Sequence, residues 1–426
     1  MSTQEEDPLW FAGLDWASQS HRVSLTDASG KPYHHRDVSH DAAGYAALCT
    51  WLEHTAQASP TRIAIAIETT HGPAVDALLD RGFQVYAINP KQLDRFRDRF
   101  TVAGAKDDTR DADVLARSLR TDRDAFRRLD TEHPLIVQLR EATRRHHSLV
   151  ADRMRLSSRM REQLWRYYPQ MLKLFDDLCD SWVLELWRLA PTPAQGARLH
   201  KATIERVLKT HRIRRFTADQ VRAILREPAL VVAPGVTQAA SSHIRDLLPH
   251  IRLLNGQIKI LGREIDRLTA ALAGPPVIEP GESVPGQTSE QRDVTILRSV
   301  PGIGRIGGAT LLAEAHDAVR TRDYQILRLV GGTAPVTRRS GKSCTVLRRV
   351  ACNKRLANAL YNMARVAISV DPQSRARYDA LRKRGHRHAR ALRTVADRLL
   401  FVLCTLLKRQ VLFDPDYRAS PANASV

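Results

Sequence analysis

Short apolar runs separated by polar stretches fill the first ninety residues of the chain. Near-continuous runs of apolar and β-branched residues are typical of strands that are buried on both faces. Such runs predict strands at residues 10–15 (WFAGLD), 22–26 (RVSLT), 62–67 (RIAIAI) and 83–88 (FQVYAI). Residues 42–52 predict a helix that follows Asp41, a suitable N-cap. We therefore expect residues 1–134 to form a mixed α/β sheet flanked by helices.

From residue 91 onward the pattern is helical, and one stretch repeats with the period of a coiled coil. Its apolar residues are spaced alternately three and four apart, at Ile244, Leu247, Ile251, Leu254, Ile258, Leu261, Ile265, Leu268 and Leu272. Pro249, Gly256 and Gly262 weaken this seam locally. A second arm, residues 139–164, is less regular because His146 and Arg153 interrupt it. The arms could pair within one chain or between chains, or be ordinary bundle helices. We expect pairing between chains, and hence a homo-oligomer that is a dimer or a tetramer.

A Pro- and Gly-rich segment, residues 274–288, predicts a linker to a third part of the chain. The predicted organisation is α/β plus all-α: a sheet domain at 1–134, a helical and coiled-coil region at 135–273, the linker, a helical domain at 289–412 and a tail at 413–426. Within residues 297–313 (LRSVPGIGRIGGATLLA), two helices around Pro-Gly-Ile-Gly predict a helix-hairpin-helix. Gly302 and Gly304 would let the backbone approach a DNA phosphate beside Arg305. A plain tight turn between helices is the alternative.

The charge of the chain is uneven. The formal net charge is +20, and it divides into −5 for residues 1–134, +8 for residues 135–290 and +17 for residues 291–426. A strongly basic C-terminal part favours a polyanionic partner such as DNA. Hydrophobic residues make up 43% of the chain, which excludes wholesale disorder. No apolar run approaches the roughly 20 residues that span a bilayer, so no membrane partner is expected.

The five cysteines are scattered along the chain and show no zinc-ligand spacing. A disulfide framework is therefore not expected, and the predicted compartment is reducing and cytoplasmic. The acidic N-terminus (MSTQEED) also lacks the apolar core of a secretory signal.

Carboxylates stand where predicted strands end and where a helix begins. Asp15 closes the first strand, and Glu68 closes the RIAIAI strand. Asp108 and Asp111 lie three apart at a predicted helix start, so they share one helix face. A carboxylate at the end of a central strand is costly unless it is paired or functional. Four of them could bind two divalent cations, which in phosphodiester chemistry activate an oxygen nucleophile and stabilise the leaving oxygen.

Two neighbouring aspartates compete for this assignment. Asp107 precedes Asp111 by four residues, and Asp113 is expected to point elsewhere on the helix. Each carboxylate could instead be solvated or capping, and for Asp108 the N-cap role is the main alternative.

Several motifs resemble those of one transposase family. They are GLDWA around Asp15, AIETTHGP around Glu68, K-x-D-x-x-D-A-x-x-L-A over residues 106–116, and the C-terminal blocks SVPGIG, GGTAPVTRRSGK and CNKRLANALY. In order and spacing they resemble the DEDD-type insertion-sequence transposases over residues 9–410. The resemblance implies an RNase-H-like (RuvC-like) domain, a coiled-coil insertion and a mostly helical domain that bears a serine. Where many members have Lys-Arg-Gly-Asn, this chain has Val-Ala-Cys-Asn at residues 350–353.

The same resemblance implies functional residues and partners. Asp15, Glu68, Asp108 and Asp111 match the family's metal-binding tetrad, with Mg²⁺ or alternatively Mn²⁺ as the cofactor. Ser340, directly before Gly341, matches its nucleophilic serine. The resemblance also implies a structured non-coding RNA, a bridge RNA, that specifies the donor and target DNA.

The residues around Ser340 agree with that role. A hydroxyl nucleophile needs positive charge around the phosphorane that it creates, and Arg338, Arg339 and Lys342 are its neighbours. A Ser-Gly turn on a phosphate-binding loop is the alternative, and Ser343 is the second candidate nucleophile. Further predicted nucleic-acid contacts are Arg348, Arg349, Lys354 and Arg355.

The sequence thus predicts a DNA transposase or site-specific recombinase that acts through a serine–phosphate intermediate. One alternative is a RuvC-like, structure-selective nuclease that uses only the carboxylates. The other is a nucleic-acid-binding protein without catalysis.

Overall fold

The computed structural model describes residues 6–31, 33–100, 108–131, 133–273, 289–341 and 343–415. Backbone contacts separate the chain into two units, Met1–His133 (unit 1) and Pro134–Val426 (unit 2), and each is described by itself. The predicted linker, most of the predicted tail, Asp107 and Lys342 lie outside the described residues.

Unit 1 is built from a sheet and the helices that cover it. Its strands are β1 (Trp10–Asp15), β2 (Ser20–Asp27), β3 (His34–Ser39), β4 (Ile63–Ile67), β5 (Gln84–Ala87) and β6 (Arg127–Arg128). Its helices are α1 (Ala42–Ala56), α2 (Pro73–Arg81), α3 (Pro90–Phe100) and α4 (Asp108–Thr121).

The strands form one mixed sheet in the order β3-β2-β1-β4-β5-β6. β1 pairs in parallel with β4 and antiparallel with β2, and β4 pairs in parallel with β5. This confirms the predicted mixed sheet flanked by helices. The arrangement is consistent with a RuvC-like fold.

The side chains of β4 alternate between two different packing layers. Ile63, Ile65 and Ile67 join the core formed with α1 and α2. Ala64 and Ala66 join the core on the opposite face, where α4 contributes Val114, Leu115 and Leu119. Because successive strand residues face opposite sides, the IAIAI run places large side chains in one layer and small ones in the other. The small side chains leave room for α4 close to the sheet.

Gly13 brings α4 still closer to β1. A Cβ atom at this position would lie 2.0 Å from the carbonyl oxygen of Ala112 and 2.6 Å from the backbone nitrogen of Ala116. Both neighbours are backbone atoms of α4, which cannot rotate away as a side chain would. Gly13 is therefore required for direct contact between the strand and the helix.

Unit 2 is mainly helical. Its elements are α5 (Pro134–Tyr167), α6 (Ser181–Leu189), α7 (Pro193–Arg198), α8 (Lys201–Thr210), α9 (Ala218–Leu225), α10 (Val236–Ala273), α11 (Ser289–Ser299), α12 (Arg305–Glu314), α13 (His316–Arg320), α14 (Tyr324–Val330), β7 (Val336–Ser340), β8 (Ser343–Leu347), α15 (Lys354–Val370), α16 (Pro372–Lys383) and α17 (His388–Arg409).

The two predicted coiled-coil arms, α5 and α10, pack against each other antiparallel within one chain. Met160 near the end of α5 shares a cluster with Ile244 at the start of α10. Leu139 near the start of α5 shares another cluster with Leu268 near the end of α10. Arg153, at the middle of α5, donates a hydrogen bond to the side-chain oxygen of Asn255 (3.3 Å).

This packing differs from the expected pairing between chains. Most seam residues are buried by helices of the same chain, and only Leu254 and Ile258 remain partly exposed. Each end of the helix pair also joins a larger helical cluster, so a regular coiled coil is not confirmed. The within-chain pairing that the sequence left open is the one found, and homo-oligomer formation stays a prediction.

The predicted helix-hairpin-helix region consists of α11, a turn and α12. Gly302 in the turn has φ +83°, and a Cβ there would lie 2.2 Å from the carbonyl oxygen of Met363 on α15. This glycine is therefore required for the contact with α15. Gly304 immediately precedes α12, and a Cβ at its position would meet no atom within 4 Å. A specific DNA-binding hairpin is not confirmed and stays a prediction.

Within the described ranges, none of the helices is long and apolar enough to cross a membrane.

Replacing Gly13 with Ala should destabilise unit 1, because the added carbon atom overlaps backbone atoms of α4. We expect a loss of about 3 kcal/mol or more in the free energy of unfolding. The matched control is Gly256→Ala in α10, where a Cβ would meet no atom within 4 Å. That change should be neutral or should stabilise by up to about 1 kcal/mol, because alanine is the better helix former. Denaturant unfolding of both variants checks this, and equal effects of the two changes would contradict the close contact.

Candidate active site

Asp15 and Glu68 lie at the ends of neighbouring parallel strands. Leu14 of β1 is paired with Ile67 of β4, so the next residues, Asp15 and Glu68, lie side by side where the two strands end. Side-chain alternation puts Asp15 on the face of Gly13. It also puts Glu68 on the face of the small β4 side chains, which is the face that α4 covers. The two carboxylates are therefore directed to the same side of the sheet.

The start of α4 brings two further carboxylates to this place. Asp108 is the first residue of α4, and Asp111 follows one turn later and is buried. The electrostatics of Asp15 reflect the charges of the other three carboxylates. Its pKa is raised to about 6 by burial and then by the negative charges of Asp111, Asp108 and Glu68, while the positive charge of Arg97 lowers it. The structure thus brings together the four carboxylates predicted from the sequence.

A guanidinium group lies within the same cluster. The Nε of Arg97 on α3 donates to Oδ1 of Asp111 (2.7 Å), and its Nη2 donates to Oδ2 (2.9 Å). The same Nη2 lies 3.5 Å from Oε1 of Glu68, and Nη1 donates to Oδ1 of Asp94 (2.7 Å). Sequence analysis missed Arg97 because it is one of several arginines in the run RFRDR. Nothing in the local pattern separates it from its neighbours.

The donor set suits a hard divalent cation, since Mg²⁺ and Mn²⁺ prefer carboxylate oxygens. The arrangement found is nevertheless not a ready-made metal site. In the part of the chain that the structure describes, no group of three or more histidine, cysteine or acidic side chains is placed to hold an ion. In addition, Arg97 binds both carboxylate oxygens of Asp111, so these oxygens are not free to bind a metal in this arrangement. The residues present fit a metal chemically once this guanidinium moves.

Asp113 belongs to a different environment. Its Oδ1 accepts a hydrogen bond from Oγ of Ser24 (2.5 Å) and lies 2.7 Å from Nε2 of His35. These partners belong to β2 and β3, so Asp113 faces the far half of the sheet, as the helix period indicates.

Ser340 ends β7 and faces solvent near the tip of a hairpin in unit 2. It lies directly opposite Ser343 of β8, and Gly341 in the turn has φ +54°. Arg338, two residues earlier, shares the face of Ser340, whereas the side chain of Arg339 points to the opposite face. The expectation that Arg339 lies beside Ser340 is thus corrected, because strand side chains alternate, whereas Lys342 lies outside the described residues.

Basic side chains surround the base of this hairpin. Arg348 is exposed and Arg349 is half-buried. The positive charge of Arg348 also affects Arg393, an arginine that the sequence pattern did not single out. The pKa of Arg393 is lowered by burial and by the positive charges of Arg348 and Arg390. Three cations held near one another favour an anion as the neutralising partner.

A cavity of about 560 Å³ separates α5, α12 and α15. Gly304, Arg305 and Arg355 line it together with His146 of α5. Arg305 is already paired with Asp266 of α10 (2.5 Å), so its charge is partly compensated. The predicted nucleic-acid contacts in this region thus border one common groove.

The loop that departs from the family pattern keeps a structural role. Asn353 caps α15 by accepting hydrogen bonds from the backbone nitrogens of Arg355 and Leu356 (3.0 and 3.1 Å). Its side-chain amide donates to Glu314 (2.6 Å). Lys354 donates to the carbonyl oxygen of Val350 (2.5 Å), within the same loop. Asn353 thus serves as the N-cap of α15.

Comparison with known proteins identifies the family. A DEDD-type model described as a transposase matches residues 12–169, and a model described as transposase of the IS116/IS110/IS902 family matches residues 294–379. The chain belongs to this transposase family. Its sequence is 33% identical over 425 residues to the mini-circle putative transposase for IS117 of Streptomyces coelicolor, covering 98% of each chain.

Two further relatives support this assignment. The putative transposase y4uE of Sinorhizobium fredii is 53% identical over 229 residues, a match that covers 54% of this chain and 62% of the relative. The IS116 uncharacterized 44.8 kDa protein of Streptomyces clavuligerus is 29% identical over 420 residues, covering 97% of this chain and 98% of the relative. The match to y4uE thus spans less than two thirds of that relative, whereas the other two matches span nearly whole chains.

In the absence of metal, the stability of the wild-type transposase should depend on pH because Asp15 titrates. The Asp15→Asn variant should lose this pH dependence. The folded protein keeps the Asp15 proton up to about pH 6, whereas the unfolded chain releases it near the ordinary pKa of 3.8. The free energy of unfolding should therefore fall as the pH rises from about 4 to about 6 and stay at the lower value above it. The fall should be less than about 3 kcal/mol, because water screens a partly exposed carboxyl group.

Thermal unfolding in EDTA across this pH range measures the effect. Asp113→Asn serves as the control, because Asp113 lies outside the carboxylate cluster and the fall should persist. Identical profiles for Asp15→Asn and wild type would show that Asp15 does not titrate in this window.

Proposed function

We propose that this transposase cleaves and rejoins DNA strands through a covalent bond between Ser340 and a DNA phosphate. The observation that carries the proposal is the exposed position of Ser340 at the end of β7, on the strand face of Arg338. The convergence of Asp15, Glu68, Asp108 and Asp111 at the ends of β1 and β4 supports the metal dependence of the reaction. Several carboxylates that lie close together, although their negative charges repel each other, are typical of a metal-dependent phosphodiester site. The exposed hairpin of unit 2 adds a hydroxyl next to a positive charge.

The proposed chemical step starts at the hydroxyl group of Ser340. Its Oγ attacks the phosphorus atom of a strand, the Oγ–P bond forms, and one P–O bond to a strand end breaks. The proton lost by Ser340 balances the proton gained by the leaving oxygen, which departs as a hydroxyl group. Attack of another strand-end hydroxyl on the same phosphorus rejoins DNA and restores Ser340. Arg338, on the same hairpin face, neutralises charge on the phosphorane.

The four carboxylates would hold the divalent metal, Mg²⁺ or Mn²⁺. When bound, the metal supplies Lewis-acid stabilisation of phosphate oxygens and of the attacking or leaving oxygen. Asp15 contributes most effectively as an anion, which its pKa of about 6 allows at neutral pH.

The proposed partners are DNA at the element ends and target, a structured guide RNA, and further copies of the chain. Support for a polyanion comes from the net charge of +17 over residues 291–426 and from the cluster of Arg348, Arg390 and Arg393. Support for the RNA rests on the family resemblance, since the sequence has only 6% aromatic residues and no aromatic RNA-recognition motif.

The covalent step can be tested with a labelled DNA that carries the element ends. Wild-type protein with Mg²⁺ should yield a denaturation-resistant protein–DNA adduct, whereas Ser340→Ala should yield none but still bind DNA. Asp111→Asn should also abolish the adduct, because it removes a metal ligand.

Two matched controls complete this test. Ser343→Ala removes the hydroxyl group directly opposite Ser340, and Asp113→Asn removes a carboxylate from the other face of α4. Both should retain the adduct. Undiminished adduct in Ser340→Ala would assign the nucleophile elsewhere, and DNA cleavage that persists without an adduct would favour the metal-only nuclease.

The RNA partner can be tested by purification of the protein without nuclease treatment, followed by sequencing of the bound nucleic acid. We expect one discrete RNA that maps beside the gene of the transposase. The variant Arg348→Gln with Arg390→Gln should recover less RNA, because two of the three neighbouring cations are removed. Recovery of only heterogeneous cellular RNA in all samples would contradict guidance by a dedicated RNA.

A further inference from the structure

The guanidinium group of Arg97 lies among the carboxylates where the proposed metal would bind. We propose that Arg97 is the resident counter-ion of this cluster, and that a divalent metal binds only by displacing it. The inference rests on the proposed function, because it concerns the same metal site. Arg97 thereby sets how tightly the free protein binds metal.

The first argument is that Arg97 and the metal need the same oxygens. Arg97 uses two parallel hydrogen bonds to occupy both oxygens of Asp111, at 2.7 and 2.9 Å. The side chain of Asp111 is only 5% exposed, so water has little access to replace this partner. A carboxylate whose oxygens face a guanidinium fork cannot direct the same lone pairs at a metal.

The second argument concerns charge. The Nη2 of Arg97 also lies 3.5 Å from Oε1 of Glu68, so the cation contacts two members of the tetrad. A divalent ion bound by these carboxylates would stand next to a group of the same sign, and this repulsion is strong in a half-buried site. Simultaneous occupation by the metal and by Arg97 is therefore strongly disfavoured.

The third argument is that Arg97 has another acceptor. Its Nη1 already donates to Asp94 (2.7 Å), which lies one turn earlier on α3. The side chain of Asp94 is 64% exposed and lies outside the tetrad. A rotation of the long arginine side chain could thus release Asp111 while one ion pair is retained. Displacement needs a change of rotamer and leaves the sheet that carries Asp15 and Glu68 in place.

The test measures Mn²⁺ binding to the purified full-length protein. Binding is measured by titration calorimetry and by the electron paramagnetic resonance signal of free Mn²⁺. Arg97→Gln should bind Mn²⁺ at least tenfold more tightly than wild type, a gain of about 1.4 kcal/mol. It should also unfold at a lower temperature in EDTA, because buried Asp111 loses its counter-charge. Mn²⁺ should raise its unfolding temperature more than that of the wild type.

Arg99→Gln is the matched control. It removes the same charge from the same helix, but Arg99 forms an ion pair with Asp122 (2.9 Å), outside the tetrad. Its Mn²⁺ affinity should stay within about twofold of wild type, since only a screened, longer-range charge effect remains. Arg97→Lys provides a milder change if Arg97→Gln does not fold in EDTA. It keeps the charge but not the two parallel hydrogen bonds, so its affinity should lie between those of wild type and Arg97→Gln.

The outcomes separate this inference from the proposed function. Displacement is supported if Arg97→Gln binds Mn²⁺ most tightly, Arg97→Lys binds it less tightly but still more tightly than wild type, and Arg99→Gln binds it like wild type. Equal or weaker binding by both Arg97 variants overturns it, and weaker binding would make Arg97 a group that positions Asp111 for the metal. If Mn²⁺ binding is absent in every variant, or survives unchanged in Asp111→Asn, the proposed metal site itself fails.

Discussion

The close contact between β1 and α4 is the constraint on which the candidate active site depends. A side chain at position 13 would overlap the backbone of α4. On the neighbouring strand β4, the small residues Ala64 and Ala66 leave room for α4 on the same face of the sheet. Asp15 lies two residues beyond Gly13 on that face, and Asp111 directly precedes Ala112, the residue that Gly13 contacts. The packing that excludes a side chain at position 13 therefore also sets the carboxylates of the strand and the helix against each other.

Assembly of these carboxylates opposes folding, because burial and the neighbouring negative charges disfavour the charged form of Asp15. The raised pKa of Asp15, about 6, is a consequence of this cost. Arg97 reduces the cost by supplying a positive charge to Asp111 and Glu68. Sites that bind and activate phosphates commonly contain such unfavourable electrostatic interactions, since the same charges attract the metal ions that the chemistry needs.

The chemistry that we propose is divided between two units with opposite charge. Unit 1 offers clustered carboxylates, which suit cations, whereas unit 2 offers a serine and clustered arginines, which suit phosphate. Ser340 is presented on an exposed two-stranded hairpin and not in a core, so a polymer as large as a nucleic acid can reach it. The cation cluster around Arg393 and the groove beside Arg355 add further basic groups to unit 2.

Much of the candidate site follows from local sequence patterns. Alternation along RIAIAI-Glu indicates both a buried strand and the face on which Glu68 must lie. The three-residue spacing of Asp108 and Asp111 puts them on one helix face. The order of the motifs was also enough to indicate the transposase family, which the comparisons confirmed. These features could be predicted because the period of a strand or a helix relates neighbours along the chain.

Other features were decided only by the tertiary structure. The seam of α10 has a clear period, yet nothing in it states that α5 of the same chain covers it. Gly302 looked suited to a phosphate, but the contact with α15 is what requires a glycine there. Arg97 could not be told from the neighbouring arginines until α3 was placed beside α4. A local pattern determines which face of an element is apolar or charged, whereas the partner of that face depends on how distant elements pack.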